Sequence, residues 1–467
     1  MEIDWSTWLP PSVRSNPVVR DVKCNSDPRS PLLRETRFVT FDGSLSISTW
    51  LQRPDRYRHL ECDWGRKPRI GRGGGYSYVA ASFGKGVIVQ EMSAFNRITD
   101  FDGRNNVRVE AGMPLDRLLA WALPRNLYLP VMPGYPQITI GGCIAADVHG
   151  KNPMRDGTFA DWVEAITLYH PAKGYLSASR LENRELFETT CGGFGLTGLI
   201  VDATVRLAPL RSAGLAVSRI PLDSIVDTIN QLQADVASEF AFSWHDGTAR
   251  NAAFGRGILF KGAWCDDAPT TKRHYRPLTA AQRAGLPWSF WNRGTLRAAN
   301  SFFRRSASGT QHTRMSVFDA EFPFAGRTLY HRLFGNRGFL EVQLLVPDAS
   351  IEHFVAYLTD AIARFDPTLT MMSLKTFSGR QQSISLSGKG VLFALDLIPG
   401  PRTDAFLNAI DQVLLDLRVQ PNIAKDSRLP GHVAAHAIPA YASFNERLRR
   451  IDPDRLYQSE LSRRIGL

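Results

Sequence analysis

Cysteine is scarce in this chain of 467 residues, and no two of its five cysteines stand in C-x-x-C spacing. They are Cys24, Cys62, Cys143, Cys191 and Cys265. Scattered cysteines of this kind predict neither a disulfide framework nor a metal site. They fit a reducing compartment, where thiols stay free.

The sequence also lacks an apolar run that could cross a bilayer intact. Its longest uncharged stretch, residues 126–146, contains Pro130, Pro133 and Pro136, and proline breaks a helix. The first residues include early acids and no apolar segment typical of a secretory signal. We therefore expect no transmembrane helix or signal peptide, and a protein that is cytoplasmic or peripheral on the inner membrane.

Acidic residues are absent from residues 268–318, which carry nine Lys and Arg in a chain of net charge +11. The aromatic residues among them are Trp288, Phe290, Trp291, Phe302 and Phe303. Basic charge mixed with aromatics is typical of contact with an anionic membrane or a lipid phosphate, and also of nucleic-acid binding. A solvated loop is the alternative.

Common nucleotide and hydrolase signatures are missing as well, including Walker A, HExxH, GxSxG and the protein-kinase motifs. Residues 193–198, GFGLTG, do match the dinucleotide pattern GxGxxG. A Rossmann site needs a strand before that pattern and a helix after it. Here ENRELFETT predicts a helix before it and LIVDATVRLAPL a strand after it, so we expect no Rossmann site.

Glycine is abundant instead, in three segments at residues 71–80, 133–152 and 191–198. Glycine lets the main chain approach a ligand closely, and successive N–H groups in such turns form a nest for an anion. One extended ligand with a pyrophosphate, wrapped by several turns, would explain all three segments. Three unrelated tight turns are the alternative.

The pattern of elements predicts an α+β protein with two domains. Short strands and glycine-rich turns fill residues 1–210, with an amphipathic helix in MPLDRLLAWAL. Residues 211–419 contain helices such as IEHFVAYLTDAIARF and strands such as GFLEVQLLVP and VLFALDLIP, which predicts an antiparallel sheet covered by helices. Residues 420–467 are expected to return to the first domain.

Several segments together resemble a known family. RGGGYSY, PGYPQITIGGCIAADVHGKN and CGGFGLTGLI are similar to the PCMH-type FAD-binding domain of the vanillyl-alcohol-oxidase flavoproteins, especially to the decaprenylphosphoryl-β-D-ribose 2-oxidase group. AKDSR and RRIDPDRLYQSELSRRIGL resemble that group's closing segment, and GFLEVQLLVP and LKTFSG its substrate domain. The resemblance implies a two-domain FAD-binding fold and is weakest over residues 211–330.

FAD is the cofactor that the resemblance implies. It places the pyrophosphate against the first two glycine-rich segments, the flavin along residues 146–149 and the adenine near Ile200. The implied FAD-binding residues are Gly71, Arg72, Gly73, Gly74, Gly75, Tyr76, Ser77, Gly134, Thr139, Ile140, Gly141, Gly142, Ala146, Asp147, Val148, His149, Ile200 and Asn422.

The resemblance also implies which residues surround a substrate above the flavin. The implied catalytic residues are Tyr78, His149 and Lys425, and the implied substrate-binding residues are Gln343, Lys375 and Lys151. Lys425 could supply fixed charge for the reduced flavin, bind a substrate phosphate, or act as a base if burial lowers its pKa. His149 could equally be a buried, hydrogen-bonded histidine.

The chain departs from the family pattern near the expected flavin. Many members have a histidine that bonds covalently to the flavin where this chain has Tyr76, so we expect non-covalent FAD. Val79 and Ala80 stand where the ribose-oxidase group tends to have Gly-Asp, and Ala394 replaces a cysteine of some members. These departures leave FAD as the expected cofactor, but they affect which substrate the protein would bind.

The sequence thus predicts an oxidase of the 2-hydroxyl of a polyprenylphosphoryl pentose, the first half of a 2-epimerisation for cell-envelope or surface glycans. A separate NAD(P)H-dependent short-chain reductase would complete the epimerisation. We expect residues 268–318 to contact a membrane, and no nucleic-acid partner. The alternatives are a soluble aldonolactone or alditol oxidase of the same superfamily, and a basic binding protein without catalysis.

Overall fold

A computed structural model describes residues 33–267, 286–306, 311–323, 325, 329–380 and 383–467. Helices and strands alternate through these ranges, which confirms the mixed α and β content that the sequence predicts. Residues 268–285 and 307–310 of the predicted membrane segment lie outside the described residues. No helix in the described ranges has the length and apolar character needed to cross a bilayer.

Four short strands near the N-terminus form a mixed sheet. They are β1 (Arg34–Val39), β2 (Ser46–Gln52), β3 (Arg69–Arg72) and β4 (Ile88–Glu91). Their order across the sheet is β1-β2-β4-β3, with β3 parallel to β4. The first glycine-rich segment leaves the end of β3, so the sheet fixes where that segment begins.

Five further strands form an antiparallel sheet. They are β5 (Ile98–Phe101), β6 (Asn106–Glu110), β8 (Val163–His170), β9 (Gly174–Ser179) and β10 (Leu199–Arg206). Two short strands, β7 (Leu127–Tyr128) and β11 (Ala208–Pro209), pair with each other. The predicted strand in LYLPVMPG is therefore only two residues long, because its prolines have no N–H to donate to a ladder.

Residues 214–421 supply an eight-stranded sheet. Its strands are β12 (Gly214–Leu222), β13 (Phe240–Asp246), β14 (Gly257–Cys265), β15 (Gln311–Ser316), β16 (Leu340–Pro347), β17 (Leu369–Gly379), β18 (Gly388–Leu397) and β19 (Gln420–Pro421). Their order is β15-β12-β14-β13-β17-β18-β16-β19, and every neighbouring pair is antiparallel.

Helices flank these sheets. In the described residues they are α1 (Leu115–Ala122), α2 (Ile140–Ala146), α3 (Pro153–Asp156), α4 (Arg184–Thr190), α5 (Ile225–Ala234), α6 (Arg293–Ser306), α7 (Val317–Glu321), α8 (Leu329–Arg332), α9 (Ile351–Phe365), α10 (Pro401–Asp416), α11 (Gly431–Ala437), α12 (Tyr441–Ile451) and α13 (Glu460–Arg464). The helix α1 buries Leu115, Leu118, Leu119 and Ala122, the apolar face that its sequence predicts.

The alternation of strand side chains decides which face of the eight-stranded sheet is apolar. Along β16, Val342 and Leu344 join the core with residues of α5, α9 and α10. The alternate residues Glu341 and Gln343 face the other way, toward a cavity. One face of the sheet is therefore covered by helices, and the opposite face is available for a site.

The GxGxxG pattern has the surroundings that the sequence predicts. The helix α4 precedes it and the strand β10 follows it, which is the reverse of a Rossmann arrangement. Phe194 adopts a positive φ of 52° and Gly195 one of 77°, so the segment is a tight turn between helix and strand.

Two local predictions are wrong. The second glycine-rich segment forms the helix α2 rather than a turn, because Thr139 caps it and Cys143 and Ile144 bury its apolar face. The family resemblance also implies a tail strand that holds Lys425, and the structure contradicts this. The strand β19 ends at Pro421 and pairs with β16, and Lys425 lies in the turn that follows.

The end of the chain packs against the N-terminal sheets. Arg69 on β3 donates its N–H to Leu456 O at 2.8 Å and accepts from Gln458 N–H at 3.1 Å. Tyr457, between these partners, is 1% exposed, and its hydroxyl donates to Tyr169 O at 3.0 Å. This segment thus ties the C-terminus to β3 and β8.

We expect Tyr457→Phe to lower the free energy of unfolding by about 1–2 kcal/mol, because a buried hydrogen bond is lost without a water to replace it. The control is Tyr175→Phe, because Tyr175 is 42% exposed and also donates its hydroxyl to a main-chain oxygen, that of Tyr57. Urea unfolding followed by tryptophan fluorescence measures both. Equal losses in the two variants would contradict the anchoring role of Tyr457.

Candidate active site

A cavity of about 950 Å³ lies between the glycine-rich segments and the eight-stranded sheet. Its walls include all three glycine-rich segments on one side and residues of β12, β13, β14, β16, β17 and β18 on the other. The volume lies near the upper end for ligand pockets, so it suits a large ligand or two ligands side by side.

Main-chain donors of Gly73, Gly74 and Gly75 face this cavity. Their three N–H groups donate to no acceptor among the described residues. Gly75 has a φ of 74°, and a Cβ atom at Gly73 or Gly74 would overlap Thr139 or Gln137. Successive unpaired N–H groups in a turn form a nest for phosphate oxygens.

The second glycine-rich segment packs directly against that nest. Gly141 lies so close to Ala111 that an added Cβ would come within 2.9 Å of the Ala111 Cβ atom. At Gly142 an added Cβ would meet only Thr139 Oγ1, at 3.3 Å, and Ile138 Cγ2, at 4.0 Å. A side chain at residue 142 would therefore extend into the cavity, whereas one at residue 141 would strike the protein.

All of the predicted FAD-binding residues except Ile140 line the cavity. Ile140 is fully buried in the core under α2, so its side chain does not line the cavity. Asp147 lines the cavity, but its carboxyl accepts hydrogen bonds from Ala160 N–H at 2.9 Å and from the Ser385 hydroxyl at 3.4 Å. Burial raises the pKa of Asp147 to about 7.

A chain of hydrogen bonds links the glycine-rich side of the cavity to the sheet. Lys375 Nζ on β17 donates to His149 Nδ1 at 2.9 Å and to Gly150 O at 3.0 Å. With Lys375 as the donor, His149 Nδ1 accepts and the ring proton is on Nε2, which lies 3.4 Å from Gln343 Oε1; in the other tautomer Nδ1–H faces Gly150 O at 3.3 Å. Gln343 Nε2 then donates to Glu341 Oε1 at 2.6 Å.

Lys425 bonds Glu341, the last group in this chain of hydrogen bonds. Its Nζ donates to Glu341 Oε2 at 3.2 Å and lies 3.6 Å from the ring centroid of Tyr78. Lys425 thus makes an ion pair and a cation–π contact at once. Burial, and then the charge of Glu341, hold the pKa of Tyr78 well above its usual value, so its phenol stays protonated.

Burial lowers the pKa values of Lys375 and His149, the first two groups in this chain of hydrogen bonds. For Lys375, burial followed by the charges of Lys425 and Lys151 lowers the pKa to about 7. For His149, burial followed by the charge of Lys375 lowers the pKa to about 3. His149 is therefore a neutral imidazole, whereas Lys375 gains and loses its proton near neutral pH.

Sequence analysis does not predict two carboxyl groups of the cavity wall, Glu341 and Asp396. They are partners across β16 and β18, and they are 9% and 5% exposed. Burial, and then the charge of Glu341, raise the pKa of Asp396 to about 8, and the Tyr330 hydroxyl donates to its Oδ2 at 3.0 Å. A single acid within each apolar strand is the signal that would have found them.

The structure places the other predicted site residues on the same cavity. Gln343, Lys375 and Lys425 join the hydrogen-bond chain as described. Lys151 forms an ion pair in which its Nζ lies 2.7 Å from Glu321 Oε2, and it also donates to Glu321 O at 2.7 Å. Lys151 therefore anchors α7 at the wall of the cavity, and its predicted contact with a substrate stays a prediction.

Comparisons with known proteins add to this geometry. Residues 61–178 match the family described as FAD binding domain. The chain is 29% identical over 418 residues to the decaprenylphosphoryl-beta-D-ribose oxidase of Mycolicibacterium smegmatis, across 86% of this chain and 90% of that one. It is 27% identical over 377 residues to an uncharacterized protein of Streptomyces coelicolor, across 76% and 100% of the two chains.

A third relative shares a smaller part of the chain. The L-gulonolactone oxidase of Mus musculus is 28% identical over 138 residues, which are 29% of this chain and 31% of that one.

The matched domain contains the glycine-rich segment that forms the phosphate nest and the one that packs against it, and a relative along 86% of the chain is an oxidase, so the protein is an FAD-dependent oxidoreductase. The unpaired N–H groups of residues 73–75 suit the pyrophosphate of that cofactor. Residues 61–178 are similar to the FAD binding domain family, and most of the chain is similar to an FAD-linked ribose oxidase, as its sequence segments predict. The alternative of a binding protein without catalysis is wrong.

We expect Gly142→Leu to reduce the FAD content of the purified protein at least about tenfold, since a leucine there occupies space lined by the cofactor cradle and a loss of 1.4 kcal/mol in binding is tenfold. Gly142→Ala should retain most of the flavin. The ratio of absorbance at 450 nm to that at 280 nm measures this content, and circular dichroism checks the fold. Full flavin content in Gly142→Leu would refute the position of the cradle.

Proposed function

We propose that the protein oxidises the 2-hydroxyl of a polyprenylphosphoryl pentose, of the decaprenylphosphoryl-ribose kind, to the 2-keto sugar. Similarity to the Mycolicibacterium smegmatis oxidase along most of both chains supports this proposal. We further propose that residues 211–419 form a substrate domain on the eight-stranded sheet. Residues 1–210 and 420–467 would then form the FAD-binding domain.

The observation that carries the proposal is a change of polarity across the cavity face of the sheet. The strands β16, β17 and β18 present polar groups there, among them Glu341, Lys375 and Asp396. The strands β13 and β14 present aromatic rings, among them Phe242 and Phe260. A ligand that fills this face has a polar end and an apolar end, as a sugar joined to a prenyl chain does.

Aromatic contacts make the apolar half continuous. The ring of Phe242 lies 5.8 Å from that of Phe240 and 5.2 Å from that of Phe260, centroid to centroid, and both pairs are stacked. Trp244 meets Phe303 of α6 at 4.7 Å. Burial of a prenyl chain here would contribute about 25 cal/mol of binding free energy for each Å² of apolar surface. A free sugar has no such apolar surface to bury.

The hydrogen-bond chain favours one of the three roles considered for Lys425. When bound, FAD accepts the hydride that leaves the substrate carbon. The Lys425 ammonium, held by Glu341 and Tyr78, is a fixed positive charge that stabilises the negative charge developing in this step. Gln343, which also accepts from Asn422 Nδ2 at 2.9 Å, is held in place to orient the sugar.

We propose that FAD is bound without a covalent bond. Tyr76 stands at the position where many superfamily members have the bonding histidine, and its ring packs 5.5 Å from that of Tyr135. None of the described cysteines lines the cavity. Acid precipitation should therefore leave all of the yellow flavin in the supernatant, and flavin retained by the pellet would show that a covalent bond exists.

We propose a membrane surface and a second enzyme as partners. Trp288 and Phe302 are 64% and 75% exposed, and α6 ends with Arg304 and Arg305, so the described part of residues 268–318 suits an anionic bilayer. Cosedimentation with phosphatidylglycerol vesicles tests this contact. The keto product would pass to a separate NAD(P)H-dependent short-chain reductase, completing a 2-epimerisation for envelope or surface glycans.

A soluble aldonolactone or alditol oxidase is the second candidate. The match to L-gulonolactone oxidase favours it, and Glu341 and Asp396 could accept hydrogen bonds from polyol hydroxyls. That match covers 29% of the chain, whereas the match to the ribose oxidase covers 86%. A free lactone would also leave the aromatic half of the cavity unfilled.

We expect anaerobic mixing with farnesylphosphoryl ribose to bleach the flavin faster than mixing with xylitol or L-gulono-1,4-lactone. Phe242→Ser should raise the half-saturating concentration of the prenyl substrate about 10–100-fold, since burial of a Phe side chain is worth about 1.5–3 kcal/mol. The control is Phe302→Ser, outside the cavity, which should leave that concentration unchanged in detergent. Faster bleaching by the lactone or xylitol would favour the second candidate.

A further inference from the structure

Alcohol oxidation removes a hydride from carbon and a proton from oxygen, and the second departure requires a base with a free lone pair. The titratable groups that line the polar half of the cavity include Tyr78, His149, Glu341, Lys375, Asp396 and Lys425. Tyr330, His331 and Lys151 line it as well: the Tyr330 hydroxyl donates to Asp396, His331 Nε2 bonds the Tyr135 hydroxyl, and Lys151 pairs with Glu321. Their hydrogen bonds distinguish between them. The inference that follows rests on the proposed oxidation of a secondary alcohol.

His149 has no lone pair available for this task. Its Nδ1 accepts from Lys375, and its Nε2 carries the ring proton toward Gln343. A neutral imidazole has only one basic nitrogen, and here that nitrogen is already occupied. His149 therefore positions its neighbours and cannot take a proton without breaking the bond to Lys375.

Three other groups are also poor acceptors at neutral pH. Lys425 is held as an ammonium by Glu341 and the ring of Tyr78. Tyr78 is a protonated phenol, and the raised pKa of Asp396, about 8, keeps that carboxyl protonated as well. Glu341 already accepts from both Gln343 and Lys425, so its carboxyl oxygens are engaged.

Lys375 has the geometry that the others lack. Its Nζ has two acceptors, His149 Nδ1 and Gly150 O, and no third partner among the described residues. A neutral amine has two hydrogens and one lone pair, so two acceptors leave the lone pair unused. We propose that Lys375, as the neutral amine, accepts the proton of the substrate hydroxyl.

In this step the substrate O–H bond breaks and a new N–H bond forms on Nζ, converting the amine to an ammonium. The adjacent C–H bond breaks with both electrons leaving on the hydrogen, and the carbon–oxygen double bond forms. Bound FAD would supply the two-electron oxidant that takes up this hydride, so the electrons and the proton of the alcohol are both accounted for. The hydrogen bonds of His149 and Gln343 connect the new ammonium to Glu341.

The charges around Lys375 favour this role. Burial lowers its pKa first, then Lys425 and Lys151 lower it further, and Glu341 opposes them, with a result of about 7. Asp396 and His149, which also face the cavity, are uncharged at that pH. A base is most effective when its pKa lies near the working pH.

The decisive variant is Lys375→Arg, which keeps two donors and a positive charge but cannot lose its proton. We expect the anaerobic rate of flavin reduction to fall about 10²–10⁴-fold with normal FAD content, the range for loss of a general base. The wild-type rate should rise with pH around 7 and then level off. An Arg variant within tenfold of wild type would overturn the proposal.

The rival base is tested by Asp396→Asn, which we expect to reduce the rate less than tenfold. A loss equal to that of Lys375→Arg would assign the proton to the carboxyl pair and overturn the proposal. Should farnesylphosphoryl ribose fail to reduce the flavin, xylitol replaces it in the same series. The proposed substrate would then be wrong, while the Lys375 proposal would still be decided.

A second measurement does not depend on turnover. Acetic anhydride labels only unprotonated amines, so labelling of Lys375, followed by mass spectrometry across pH, should be half-maximal near pH 7. Exposed lysines in the same sample have an ordinary pKa of about 10.4 and serve as the reference. Lys425→Met should move the midpoint for Lys375 to higher pH, since it removes a repelling charge. A midpoint near 10 in wild type would overturn the proposal.

Discussion

The arrangement of this site depends on the hydrogen bonds that run in one direction from Lys375 through His149 and Gln343 to Glu341. These bonds are the contact between a segment of the FAD-binding part and two strands of the eight-stranded sheet. These donors and acceptors are paired in a largely buried setting, where an unpaired polar group costs about 1–3 kcal/mol. The chain of bonds therefore fixes the position of the sheet over the cofactor cradle and also the location of the protons.

The same chain gives two lysines opposite properties. Lys425 contacts the carboxylate at its end directly, at 3.2 Å, and so keeps its charge. Lys375 meets only neutral acceptors and is repelled by Lys425 and Lys151, so it loses its charge near neutrality. One residue type thus serves two chemical purposes, and the difference lies entirely in the neighbours.

The sequence predicts elements whose signal is local. The apolar periodicity of α1 and α9 and the alternation along β16 and β18 match the structure, since each depends on residues a few positions apart. Resemblance to a family then places three distant glycine-rich segments on one cavity. The helix α2 is not predicted because its cap and two buried side chains outweigh the low helix propensity of adjacent glycines.

Pairings between distant residues lie beyond this kind of prediction. His149 and Lys375 are 226 positions apart, and no pattern along the chain connects them. Lys151 forms its ion pair with Glu321, which is 170 positions away. Glu341 and Asp396 meet only through the register of β16 and β18. The protonation states of the residues in the cavity depend on these contacts between distant residues.

Close packing of the two glycine-rich segments has a consequence for how the flavin is acquired. Gly73 and Gly74 touch Thr139 and Gln137 directly, with no room even for a methyl group between them. The two segments therefore support each other in the absence of any ligand. The N–H groups of residues 73–75 are oriented before the nucleotide arrives. Because little conformational entropy remains to be lost on association, more of the interaction energy appears as affinity.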